Sequence, residues 1–239
     1  MAKVYFSHGD KGGVGKSMLA ALLVEFCLKS DYKVGIVEGD INQPDIALRY
    51  KPAGVPVAAV NLARAGASEE AVLKFIEKVE SLAGVDHIIV NLPASSSETL
   101  DANAEVIVEA LKENGHEPFL MYSMGHTPAA AETFKASATG GLFGAVEAEH
   151  RAIVYPLFQG EPTNSHFVKS GLRDEYAFGG EMAVPVIKPE ALVQKVLSTH
   201  KPYGELVKPG CGDLSVAERI MFDKKFYGPA MAEISKFFD

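Results

Sequence analysis

The chain has no tryptophan, only two cysteines, and no uninterrupted apolar run of bilayer-spanning length. Its most apolar stretch, Leu19 to Leu28, is short and broken by Glu25. Cys27 and Cys211 lie far apart, so there is no Cys-x-x-Cys for a metal or cluster; isolated thiols fit a reducing cytosol. Basic residues are in deficit, 23 Lys and Arg against 31 Asp and Glu, giving a net charge of −8. That balance argues against broad, sequence-independent binding to DNA, although it leaves room for a local basic patch. The seven histidines show no metal-ligand spacing, and no Gly-x-Ser-x-Gly elbow is present for a nucleophilic serine. Lys3-Val4-Tyr5-Phe6 enters an apolar strand at once, so no signal peptide is visible and a cytoplasmic location is expected.

What is present is enough apolar residue, 47% of 239, to bury a core as one domain spanning 1–239. Apolar runs alternate with helical patterns, which predicts an α/β fold: a three-layer, twisted, mostly parallel sheet with helices on both faces. Strands are expected at Val4 to Ser7, Lys33 to Glu38, His87 to Asn91, Phe119 to Met124, Arg151 to Phe158 and Met182 to Ile187. Between them the spacing predicts helices over Lys16 to Lys29, Ser68 to Ala83, Ser97 to Asn114, from Thr127-Pro128 onward, and from Lys188-Pro189 to His200. Ser215-x-x-Glu218 has the pattern of a capping box. Asp45, before Ile46-Ala47-Leu48, reads as a helix cap, and Gly228-Pro229 as a breaker before a C-terminal helix docked on the domain. The stretch from Gly140-Gly141 to Glu149 reads equally as a mobile loop or a partner surface.

One segment carries chemistry on its face. Lys11-Gly12-Gly13-Val14-Gly15-Lys16-Ser17 lies between the first strand and the first helix, the context of a phosphate-binding loop. Its glycines let the backbone turn with N–H groups facing inward, and the helix behind presents its positive dipole end to an anion. Lys16 brings a point charge to the β- and γ-phosphates of a nucleotide, and the Ser17 hydroxyl can ligate Mg²⁺. The predicted nucleotide-facing set is therefore Gly12, Gly13, Val14, Gly15, Lys16, Ser17 and Met18. The usual pattern would have glycine at position 10, where this chain has aspartate, followed by an extra lysine, Lys11.

The form Lys-Gly-Gly-Val-Gly-Lys-Ser resembles the deviant Walker A motif of the MinD/ParA family of P-loop ATPases. The resemblance implies ATP with Mg²⁺ as the cofactor, and a homodimer that closes on ATP, Lys11 reaching the nucleotide of the other subunit. Glu38-Gly39-Asp40 and Ile41-Asn42-Gln43-Pro44-Asp45 resemble the family's first switch, in which Asp40 would orient the attacking water and hold a magnesium-bound water; Gly39-Asp40 also reads as a simple turn. Leu92-Pro93-Ala94 resembles the second switch. The strand before it departs from the family, ending in Asn91 where the Walker B aspartate is expected. Asparagine carries no charge to offset Mg²⁺, which leaves either slow hydrolysis supported by Lys11, Lys16, Ser17 and Asp40, the reading preferred here, or binding with negligible turnover. The run Val184-Pro185-Val186-Ile187-Lys188-Pro189 resembles the adenine-packing segment, with Pro185, Ile187 and Pro189 as base contacts, although it also fits an ordinary sheet edge.

As a whole the resemblance implies a weak or partner-stimulated ATPase acting as a switch in plasmid or mobile-element partition, stability or conjugative transfer. The charge of −8 favours a protein adaptor as partner, with any DNA contact carried by that adaptor. The C-terminal Ile234 to Phe238 lacks a basic face, so no stable membrane insertion is expected. An ATP-dependent small-molecule ligase resembling dethiobiotin synthetase is the alternative, against which Lys11 counts. An iron–sulfur or arsenite-pump type would need paired cysteines that the chain lacks.

Overall fold

A computed structural model describes residues 1–9, 12–62, 68–93 and 96–238, with the backbone alone at 68, 96 and 97. In chain order the elements are β1 (Lys3–Gly9), α1 (Lys16–Lys29), β2 (Val34–Glu38), α2 (Asp45–Tyr50), β3 (Val57–Ala59), α3 (Ser68–Glu80) and β4 (His87–Asn91). They continue with α4 (Ser96–Ala102), α5 (Ala104–Glu113), β5 (Glu117–Ser123), α6 (Pro128–Gly140), α7 (Leu142–Ala145), β6 (Arg151–Pro156) and α8 (His166–Lys169). The last are β7 (Gly180–Val184), α9 (Glu190–Ser198), α10 (Tyr203–Leu206), α11 (Val216–Phe222) and α12 (Gly228–Ser235).

The strands form one sheet in the order β3-β2-β4-β1-β5-β6-β7, and every neighbouring pair is parallel. Successive strand residues point to opposite faces, and both faces are covered. Tyr5, Ile36, Ile89 and Met121 join a core with α1, α9 and α12, whereas Val4, Phe6, Ile88, Val90 and Leu120 join one with α3, α5 and α6. This explains why the strands read as continuous apolar runs, and it is the expected three-layer architecture. Phe238 stacks on Tyr5 with ring centroids 4.6 Å apart, so the C-terminal segment is docked as expected.

Several expectations are corrected. The helix expected over residues 97–114 is two helices, parted at Asn103, whose Nδ2 donates to the Thr99 carbonyl at 2.8 Å. A short polar side chain that competes for backbone partners favours such a break. Gly228-Pro229 does not stop the chain: a π-helical turn over Asp223–Tyr227 runs directly into α12, and Pro229 falls in its first turn, where no N–H is needed. The strand ending at Val184 stops before Pro185, and β6 stops at Pro156, each shorter than expected. Residues 142–145 form α7, with Leu142 and Phe143 buried, rather than a free loop. The short edge strand β3 had no signal in the sequence pattern.

Two caps are as expected: Thr127 Oγ1 accepts from the Ala130 N–H, and Ser215 and Glu218 form a reciprocal capping box. Asp45 is not a cap; Pro44 occupies that position without a side-chain bond. The capping bond comes instead from Glu38, whose Oε2 accepts the Ala47 N–H at 3.1 Å.

Candidate functional site

β1 lies at the centre of the sheet, with β4, β2 and β3 on one side of it and β5, β6 and β7 on the other. The carboxyl ends of β1, β2, β4 and β5 therefore meet where open α/β sheets bind ligands. From β1 the chain enters the glycine loop. Gly13 and Gly15 have φ of 88° and 85°, left-handed values that the turn into α1 requires and that side-chain-bearing residues rarely adopt. Gly15 caps α1 with no side-chain hydrogen bond, and no acidic residue occupies the helix's first turn. The leading N–H groups and the positive end of the dipole are thus left for an anion. The Ser7 hydroxyl donates to the Lys16 carbonyl at 2.7 Å, which pins the helix start to β1.

Val14 and Lys16 are buried, Gly12 and Gly13 exposed, and Ser17 and Met18 half-buried. Met18 packs against the core. Lys11, with Asp10, lies outside the described residues, as do 94 and 95 of the second switch.

The ends of β2 and β4 are joined twice. In the backbone, the Gly39 N–H donates to the Asn91 carbonyl at 2.9 Å. Between side chains, Asn91 Nδ2 donates to Glu38 Oε1 at 2.8 Å, both residues being fully buried. Glu38 Oε1 also accepts the Asp40 N–H at 3.2 Å, so one carboxylate holds the end of β4, the loop after β2 and the start of α2. Burial pushes the Glu38 carboxyl up to about 7, partly offset by the hydrogen bonds from Asn91, Asp40 and Ala47. Nothing in the sequence pattern singled out Glu38; the only signal was its place at the strand end beside Gly39-Asp40.

Asp40 uses Oδ1 to accept the N–H groups of Asn42 and Gln43, at 3.1 and 3.0 Å. Its carboxylate therefore shapes the turn that follows, which is the simpler of the two readings, and sits half-buried on the rim of the site. Asn91 pairs in register with Ser7, which places it beside the start of α1. Lys16, Ser17, Asp40 and Asn91 are thus gathered at one end of the sheet. The base-contact candidates follow the carboxyl end of β7, at this same end of the sheet: Ile187 is buried in the core with Leu192 and Val196, Pro185 is half-buried and Pro189 exposed.

Two further residues border the loop. A Cβ placed on Gly15 would lie 3.4 Å from the ring of Phe158, a residue 48% exposed although large and apolar. His8, on the strand leading to the loop, accepts the Gly9 N–H on Nδ1, and its Nε2 lies 3.6 Å from Asp101 on α4, the helix after the second switch.

The residues fit a magnesium–phosphate group. The candidate donors, Ser17 Oγ, Asp40 and Asn91 Oδ1, are all oxygen, as Mg²⁺ prefers. Asn91 Oδ1 is buried and has no hydrogen-bond partner among the described residues, a position that asks for a donor such as a cation-bound water. Among the described residues no cluster of three or more His, Cys, Asp or Glu side chains is placed to hold a metal. A cation here would depend on phosphate oxygens.

Gly39 tests how tightly these strand ends are joined. A Cβ there would meet the Asn91 carbonyl at 2.7 Å and Leu62 Cδ1 at 2.9 Å. Gly39→Ala is expected to destabilise the fold by about 1–3 kcal/mol, read as a lower urea midpoint; an unchanged midpoint would show that the contact relaxes freely.

No model of a known protein family matches the chain. Protein MobD of Acidithiobacillus ferrooxidans is 28% identical over 114 residues, 47% of this chain and 48% of that protein. The match thus spans about half the length of the curated relative. Among solved structures, a protein of Borrelia burgdorferi B31 described as a plasmid partition protein, bound to AMPPNP, superposes with a TM-score of 0.58 at 14% identity, covering 99% of each chain. A nucleotide-binding protein of Archaeoglobus fulgidus with ADP gives 0.50 at 14%, over 83% of this chain and 88% of that one. The signal recognition particle receptor FtsY of Elizabethkingia anophelis with GDP gives 0.51 at 16%, over 76% of this chain and 56% of that one. At these identities the likeness is one of fold, a parallel sheet with helices on both faces. Among the described residues no helix is long and apolar enough to cross a membrane.

Proposed function

We propose that the chain binds ATP with Mg²⁺ at the glycine loop, hydrolyses it slowly, and acts as a switch that dimerises on ATP. The observation that carries this reading is the uncapped start of α1 behind two left-handed glycines, with Lys16 buried beside it. Lys16 neutralises charge on the β- and γ-phosphates, Ser17 and Asn91 offer oxygens to the cation and its waters, and Asp40 orients the attacking water from the rim. A cation held by these oxygens would offset the negative charge of the transferring phosphoryl group. Lys11 completes the site across the dimer, a role that rests on the family resemblance. The likeness to the Borrelia plasmid partition protein supports a place in plasmid partition or stability, and the net charge of −8 favours a protein adaptor as partner.

The test is mass in solution. Light scattering with ATP-γ-S and Mg²⁺ is expected to give a dimer, and with ADP a monomer. A monomer in both states would refute the switch. Turnover no greater than that of a Lys16→Ala control, with partner present, would leave nucleotide binding without hydrolysis.

A further inference from the structure

The buried Glu38–Asn91 pair carries an inference about how this site handles its cation. An amide and a carboxylate meet 2.8 Å apart, on residues 53 positions apart, where β2 and β4 end beside the glycine loop. With Nδ2 committed to Glu38, the planar Asn91 amide directs Oδ1 away from that carboxylate, and this oxygen is the one left without a partner. The amide is therefore locked in one orientation, with its acceptor free for a donor on the ligand side. Hydrogen bonding to a carboxylate polarises it, making Oδ1 a stronger acceptor than an isolated asparagine offers.

We propose that Glu38 is a positioning residue that supplies, through Asn91, the negative charge a Walker B aspartate would place at the magnesium ion. The charge is displaced by one side chain from β4 to β2. This rests on the reading that the loop binds a magnesium nucleotide. Outer-shell carboxylates of this kind orient the inner ligand and set cation affinity. Glu38 also accepts the Asp40 and Ala47 N–H groups, so the same carboxylate ties cation occupancy to the first-switch loop and α2.

The experiment is a fluorescence titration of mant-ADP at pH 8.5, above the value of about 7 to which burial raises the Glu38 carboxyl, in EDTA and over a Mg²⁺ series, on the full chain. Glu38→Gln is expected to leave affinity in EDTA within about twofold while raising the Mg²⁺ concentration for half-maximal tightening by roughly tenfold. The double variant Glu38→Gln/Asn91→Asp reverses the pair: the amide then lies on β2, donating to a carboxylate on β4 that carries the charge. It is expected to recover most of the Mg²⁺ dependence, whereas a purely structural role for Glu38 gives no such rescue. An unaltered Mg²⁺ response in Glu38→Gln overturns the proposal, as does a folded double variant that fails to recover. If Glu38→Gln does not fold, the double variant alone decides, a wild-type-like Mg²⁺ response supporting the proposal and a weakened one overturning it. Absence of mant-ADP binding by the wild type, with or without Mg²⁺, would instead refute the nucleotide reading on which the proposal stands.

Discussion

Lys16→Ala is expected to weaken ATP binding by roughly a hundredfold or more, while the protein remains folded. Each charge-assisted contact to a phosphate is worth about 1.5–3 kcal/mol, and 1.4 kcal/mol is a factor of ten in affinity. A lysine touching two phosphates therefore accounts for about two orders of magnitude. The N–H groups at the start of α1 remain, so residual binding is expected rather than none. The side chain is only 7% exposed, so some packing is lost as well, and melting temperatures should be recorded beside the titration. Affinity within threefold of wild type would mean that the loop does not hold phosphate in this way.

The second large effect lies away from the loop, at Glu25. This carboxylate on α1 is buried among α2, α10 and the C-terminal helices. Oε1 accepts the Tyr50 hydroxyl at 2.9 Å and the Tyr203 N–H, and Oε2 accepts the Gly204 N–H at 2.8 Å and the Tyr227 hydroxyl at 3.3 Å. Glu25→Ala strands the Tyr203 and Gly204 N–H groups and the Tyr227 hydroxyl in the core, Tyr50 keeping the Ala21 carbonyl at 3.1 Å, and is expected to cost about 3–5 kcal/mol, a large part of a domain's stability. Urea denaturation measures it, and a loss below about 1 kcal/mol would show that water replaces the carboxylate.

Glu25→Gln should be milder, and its pH dependence is informative. Burial raises the Glu25 carboxyl above its usual range, although the hydrogen bonds from Tyr50, Gly204, Tyr203 and Tyr227 oppose that. Folding then takes up a proton, so wild-type stability falls as pH rises from about 4.5 toward the folded value. The advantage of wild type over Glu25→Gln should therefore be greater in acid than at neutral pH. Arg49, which donates to the Val196 carbonyl and lies over the Tyr203 ring at 4.5 Å, is the charged neighbour.

The site divides cleanly by how far apart in the chain its parts lie. The glycine loop was legible because its chemistry is consecutive: strand, left-handed glycines, lysine and serine fall within a few residues, and local backbone rules dictate their form. The helix after it, Lys16–Lys29, and the strand His87–Asn91 have the expected bounds because both are continuous apolar segments between clear breakers. Asp40 was legible as a residue but not as a geometry. Only the fold shows that Oδ1 closes its own turn, leaving Glu38 to bond the neighbouring strand and cap α2.

Asn91 looked in the sequence like a plain loss of charge. In the structure it is half of a hydrogen-bonded pair whose other half carries the carboxylate. The pattern of residues by itself determined six of the seven strands and the form of the glycine loop, since each depends on neighbours close in the chain. Tertiary structure alone decided which carboxylate meets Asn91. That depends on the register of β2 against β4, which sets Glu38 opposite Asn91 and which no local spacing specifies.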